Sequence, residues 1–102
     1  MFAINWTLNA ELTFLEEIEF ISKKWQTKQI EKFVDLVDNR IKDLSSGIIE
    51  GKPSNIKNVR ILVISKQTTL VYKINRNESR IDLITFWNNK VNPENYKKYL
   101  EF

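Results

Sequence analysis

Two sets of closely spaced carboxylates, Glu16/Glu17/Glu19 and Asp35/Asp38, come nearest in this chain to a general acid and base pair. Such a pair needs one carboxyl kept protonated by burial or by a like charge. Both sets fall on the polar faces of expected helices, with no partner that would raise a pKa, so they read as solubilising charge. The remaining reactive inventory is short. The chain has no Cys and no His, which excludes disulfides, thiolate nucleophiles, zinc–thiolate and iron–sulfur sites, a Ser–His triad and His-based ribonuclease chemistry. Its two glycines, Gly47 and Gly51, are too few for a phosphate loop or a dinucleotide fingerprint, where several glycines let the backbone approach phosphate. No cofactor and no metal site is expected.

Cationic charge is what remains, and it is unevenly placed. The net charge is +3, yet residues 1–51 carry six basic against nine acidic side chains, whereas residues 52–102 carry ten against four. That asymmetry suggests a surface that meets a polyanion or an acidic protein.

The elements that must position this charge follow from length and periodicity. With 102 residues, 42% hydrophobic and 28% charged, the chain is expected to form a single globular domain over residues 1–102. No apolar run is long enough for a membrane span, and the N-terminus lacks the pattern of a signal peptide, so a cytoplasmic protein without membrane contact is expected. Met1 to Thr7 alternates as a strand, with Phe2, Ile4 and Trp6 on one face. Thr7 or Asn9 can cap a helix to about Trp25 whose apolar stripe is Leu8, Leu12, Leu15, Ile18, Ile21 and Trp25. A second helix, Thr27 to Ser46, repeats Ile30, Phe33, Val37, Ile41 and Leu44 and stops at Gly47. Glu50 to Lys57 is expected to be a loop. Three strands follow, at 59–65, 69–74 and 80–87, joined by turns short enough for an antiparallel meander. Pro93 then opens a short helix, PENYKKYL. The fold class is α+β, in the order β-α-α-β-β-β-α, with a helical hairpin packed on a small, mainly antiparallel sheet.

Strand alternation divides the sheet into two faces. With Val59, Ile61, Val63, Leu70, Tyr72, Ile74, Ile81, Leu83 and Trp87 toward the helices, Arg60, Leu62, Ile64, Val71, Lys73, Arg80, Ile84 and Phe86 lie opposite. That outer face would have an apolar centre and a basic rim, as a protein-binding surface does. Phe20 points away from its helix stripe and is a second candidate docking residue. Trp6, Trp25 and Trp87 are expected in the core.

The order of elements resembles the RelE/ParE superfamily of toxins from bacterial type II toxin–antitoxin modules. So do the strings INWTLNAELTFLEEIEFI (4–21), DLSSGIIEGKP (43–53), NVRILVI (58–64), TLVYKI (69–74) and ITFWNNKVNPENY (84–96). The resemblance implies a toxin silenced by a cognate antitoxin. RelE-like members cleave mRNA in the ribosomal A site; ParE-like members inhibit DNA gyrase. By resemblance, Arg60, Lys90 and Tyr96 are the candidate catalytic residues, since Lys90 stands where the family has an Arg and Tyr96 where RelE-like toxins have a functional Tyr. Lys52 and Lys57, which match family lysines, and Lys73 and Arg80 on the basic rim are candidates for binding nucleic acid or target. Leu62, Ile64, Val71, Ile84 and Phe86, with Phe20, are candidates for binding antitoxin. Attack of a ribose 2′-OH would need a proton acceptor, cations for the developing phosphorane charge and a ring to stack a base. Two arginines of the family pattern are missing, however, with Ile64–Ser65 and Thr68–Thr69 in their places. A Lys at position 90 supplies a point charge and not a bidentate fork. The expectation is therefore ParE-like gyrase inhibition; the alternatives are a ribosome-dependent mRNA interferase or an inactive member that only binds partners.

Overall fold

Thr7 ends the first strand and starts the first helix. Its backbone is extended (φ −69°, ψ 159°) and its Oγ1 accepts from the Ala10 N–H at 3.1 Å, supplying one of the acceptors that a helix N-terminus lacks. The same hydroxyl donates to the Leu83 carbonyl at 2.6 Å, so the cap also fastens the helix to the sheet.

The computed structural model describes residues 1–90. The elements are β1 (Ala3–Trp6), α1 (Leu8–Lys24), α2 (Thr27–Ser46), β2 (Lys52–Pro53), β3 (Val59–Val63), β4 (Thr68–Asn75) and β5 (Arg80–Asn88). The expected final helix, with Tyr96, lies outside the described residues. The strands form one sheet in the order β1-β5-β4-β3-β2. β3, β4 and β5 are the antiparallel meander, while β1 runs parallel to β5. Inside the expected 50–57 loop, β2 pairs Lys52 with Ile61 and Pro53 with Arg60; Pro is tolerated there because an edge position leaves no ladder partner for the missing N–H. This is the expected α+β architecture.

The helical hairpin covers one sheet face. α2 behaves as its periodicity predicts: Phe33, Val37, Ile41 and Leu44 are buried, and Gly47 takes the left-handed conformation (φ 81°) that closes it. Between helices and sheet, Phe14 and Phe86 meet at 5.4 Å between ring centroids, as do Trp6 and Phe86, and Phe33 lies 5.8 Å from Phe14. Such aromatic pairs add about 0.5–1.5 kcal/mol each beyond simple burial.

Three expectations about faces are overturned. In α1, Leu8, Leu12 and Leu15 are 70%, 51% and 60% exposed, and Trp25 just beyond it is 43% exposed, outside the core. The inward face is Ala10, Phe14, Glu17 and Ile21, spaced 4, 3 and 4. Both stripes have helical spacing, and polar anchors decide between them. Besides the Thr7 bond, the Phe86 N–H donates to Thr13 Oγ1 at 2.9 Å, and the small Ala10, fully buried, lets the helix approach β5.

In β3, Leu62 and Ile64 turn inward and Val59 and Ile61 outward, the reverse of the expected faces. The turn sets this register. It places Leu62 opposite Leu70 and Ile61 opposite Val71, and directly paired residues share a face, so a one-residue difference in register inverts a strand.

In β5, a bulge lies opposite Val71/Tyr72: Thr85 pairs with Val71 and Leu83 with Tyr72, leaving Ile84 extra. Beyond the bulge the alternation is reset, so Phe86, opposite Leu70, packs among the helices and not on the outer face.

Candidate functional site

The uncovered sheet face has an apolar centre built from other residues than expected. Val59 and Val71 are buried there beneath Ile56, Ile61 and Ile84, and Val63 beside them is 60% exposed. Of the five strand positions expected on this face, Val71 and Ile84 are on it; Leu62, Ile64 and Phe86 belong to the helix-side core. Phe20 is half-buried, and Lys24 Nζ stands 4.8 Å from its ring centroid, so a cation roofs part of this ring.

The candidate cations divide into a rim and two tethered groups. Lys52 pairs with Ile61 and Lys73 with Val59, which puts both on the outer face. Lys57, in the loop before β3, lines a cleft with Lys73. Arg80 is less available: its Nε lies 2.9 Å from Asp82 and its Nη1 pairs with Glu78. Burial alone would raise the Asp82 pKa, but donors from Asn5 and Arg80 outweigh it and hold this carboxyl below its ordinary value.

Arg60 is fastened to the helix-side end of the molecule. Its Nε lies 3.3 Å from Glu50, its Nη1 donates to the Gly51 carbonyl at 2.7 Å, and Arg76 contacts the same Glu50 oxygen at 3.1 Å. Gly51 is itself enclosed. Its N–H donates to the Tyr72 hydroxyl at 2.6 Å, and a Cβ at this position would lie 2.6 Å from the Ile61 carbonyl oxygen.

Lys90 lies past the other end of β5, its Nζ 5.8 Å from the Trp25 ring centroid. Arg60 is level with Tyr72 and, across the sheet, with Leu83. Lys90 is seven positions on from Leu83, a distance of roughly 20 Å for extended chain. The structure thus does not bring Arg60 and Lys90 together, and Tyr96 lies outside the described residues. Among the described residues no group of three or more acidic side chains is placed to hold a metal ion.

One buried group escaped the sequence reading. Glu17, expected on a solvated face, is 3% exposed. Its carboxylate accepts from Thr68 Oγ1 at 2.6 Å and from Asn88 Nδ2 at 2.8 Å. Burial pushes its pKa up, against the opposing effect of these two donors. The signal was present in the strands, where Thr68–Thr69 and Asn88–Asn89 put donors into otherwise apolar runs. Nearby, Gln67 Nε2 is buried and has no hydrogen-bond partner among the described residues.

The backbone matches solved toxin structures. Over 86% of this chain and 96% of the other, it superposes on a chain of the chromosomal ParDE toxin–antitoxin system from P. aeruginosa with a TM-score of 0.70 at 16% identity. It matches a chain of the E. coli DinJ–YafQ complex with a TM-score of 0.61 at 9% identity, over 90% of this chain and 98% of that one. The isolated E. coli RelE toxin matches with a TM-score of 0.54 at 19% identity, over 98% of this chain and all of that one (100%). No family model and no curated protein sequence matches the chain. The protein has the fold of the RelE/ParE-superfamily toxins.

Proposed function

We propose that this protein is the toxin of a type II toxin–antitoxin module, that its antitoxin docks on the outer sheet face, and that it acts by inhibiting DNA gyrase. The observation that carries this reading is the composition of that face. Its centre is Ile61, Val63, Val71 and Ile84, and its cations Lys52, Lys57 and Lys73 are at the rim. Apolar anchors inside a charged rim give affinity and steer encounter with a protein. Phosphoryl cleavage needs cations converging on one phosphate, whereas Arg60 is held by Glu50 and Lys90 lies beyond the far end of β5. Two of the similar structures come from a ParDE system and a DinJ–YafQ complex, which supports an antitoxin partner. A toxin with these partners would act in the cytoplasm, where gyrase and the antitoxin are made.

The test is paired. Purified protein is added to gyrase in a supercoiling assay and to ribosomes programmed with mRNA. Loss of supercoiling with intact mRNA is expected. A-site cleavage with gyrase untouched overturns the gyrase assignment in favour of an mRNA interferase. Inactivity in both, with a bound antitoxin, leaves a binding partner only.

A further inference from the structure

Helix α1 has an apolar face on each side, and only one of them packs on the sheet. Leu8, Leu12 and Leu15, 70%, 51% and 60% exposed, follow one another at spacings of 4 and 3. Around a helix of 3.6 residues per turn they point roughly opposite to Ala10, Phe14, Glu17 and Ile21, and so away from the sheet. Single exposed leucines are ordinary, but three in register form a stripe about 10 Å long. Exposed carboxylates flank it, Glu11 on one side and Glu16 on the other.

The outer sheet face offers the matching surface. Its apolar centre runs from Ile61 and Val63 on β3 to Ile84 on β5. With β4 between them, these strands lie two strand spacings apart, about 10 Å, which is the length of the leucine stripe. Lys52, level with Ile61, and Lys57, in the loop before β3, stand at its edge and are exposed. Among the described residues, no ion pair includes Glu11, Glu16, Lys52 or Lys57. Lys73 stands opposite Asp82 and Glu19 pairs with Lys23 at 3.4 Å, so neither is counted.

Charge decides how two copies meet. A symmetric contact through α1 would set Glu11 and Glu16 against their own counterparts, and one through the sheet would do the same with Lys52 and Lys57. Like charges face to face oppose both. With α1 of one copy on the outer face of the next, leucines meet the apolar centre and carboxylates meet lysines. A helix laid on a sheet is also the packing that α1 already makes on the inner face.

We propose that this chain associates with itself head to tail, the outer stripe of α1 docking on the outer sheet face of a second copy. The two surfaces lie on opposite sides of the molecule, so each pair leaves one of each free and the contact is open-ended. One helix face is a small interface, and the association is correspondingly weak and builds with concentration. Nothing in this contact depends on an antitoxin or on gyrase, so the purified chain alone tests it.

Sedimentation equilibrium is run on the full chain at low salt, from roughly 10 μM to 1 mM. The weight-average mass should climb with concentration and pass that of a dimer without a plateau. Two variants at exposed positions separate the surfaces. Leu12→Ser with Leu15→Ser removes the stripe and keeps the sheet face; Val63→Asp spoils the sheet face and keeps the stripe. Each alone should bind itself at least about tenfold more weakly than the unaltered chain. Mixed, they should pair with the unaltered affinity and stop at a 1:1 dimer, because one copy supplies α1 and the other the sheet. Glu11→Lys with Glu16→Lys should also weaken association, and Lys52→Glu with Lys57→Glu added to the same chain should restore it. A chain that stays monomeric over this range overturns the proposal. So does either surface variant that associates as the unaltered chain does, which means a symmetric contact through the face it keeps, or a mixture that fails to pair.

Discussion

Thr68 Oγ1 donates to Glu17 Oε1 at 2.6 Å, linking the middle of α1 to the first residue of β4. With the Asn88 amide at 2.8 Å on the other carboxylate oxygen, three elements converge on one buried carboxyl.

The pH dependence of stability follows from that placement. Burial raises the Glu17 pKa above its ordinary value of 4.5. A carboxyl whose pKa is higher folded than unfolded binds its proton more tightly in the folded state. Its contribution to stability is complete below about 4.5 and is lost as pH rises through the raised value. Glu17→Gln removes this loss. In urea melts across a pH series, the variant should gain on the unaltered protein as pH rises from 4.5 toward 8, by about 1.4 kcal/mol for each unit of elevation. A constant difference across pH would show that Glu17 titrates normally.

Exposed Val63 separates docking from folding. Val63→Asp adds a charge to the outer face without opening the core, so antitoxin affinity measured by calorimetry should fall by at least about 2 kcal/mol, as at an interface hot spot. The thermal midpoint should hardly move. Ile84→Asp should weaken antitoxin more and also cost stability, because Ile84 packs with Val71. Leu62→Asp places a charge among the helix-side core residues and is expected to prevent folding.

The two faces of α1 are distinguishable by stability alone. Leu12→Ser and Leu15→Ser should each change unfolding free energy by less than about 0.5 kcal/mol, as surface substitutions do. Phe14→Ala, which removes a ring touching Trp6, Phe33 and Phe86, should cost about 3–5 kcal/mol. Denaturant titration of the three variants measures both effects.

Gly51 should not accept a side chain. The Cβ of Gly51→Ala would approach the Ile61 carbonyl oxygen to 2.6 Å and the Tyr72 hydroxyl to 3.0 Å, and such crowding costs about 1–3 kcal/mol. Tyr72→Phe leaves the buried Gly51 N–H without its acceptor, for a cost of about 1–3 kcal/mol. The same titration measures both.

The sequence by itself determined the class of fold and most element positions, because these depend on local chemistry. Thr7 and Gly47 mark helix ends through a side-chain acceptor and a left-handed backbone, and the 3, 4, 4, 3 spacing of α2 has one apolar face to bury. The resemblance to RelE/ParE toxins was likewise carried by short strings in order. Which way three elements faced was decided only in the tertiary structure. α1 has two apolar stripes, and bonds from β5 to Thr7 and Thr13 select the one with Ala10 and Phe14. β3 and β5 take their faces from the turn register and from the bulge at Ile84, neither of which changes the period of the sequence. The candidate site followed the same rule. The basic half was legible as charge, but Lys57, Lys73 and Arg76 share a cleft, and Arg60 is tied to Glu50, only because cross-strand pairing brings distant residues level. Glu17 was misread for the same reason: a carboxylate among other carboxylates looks solvated until Thr68 and Asn88 arrive from strands more than fifty residues away.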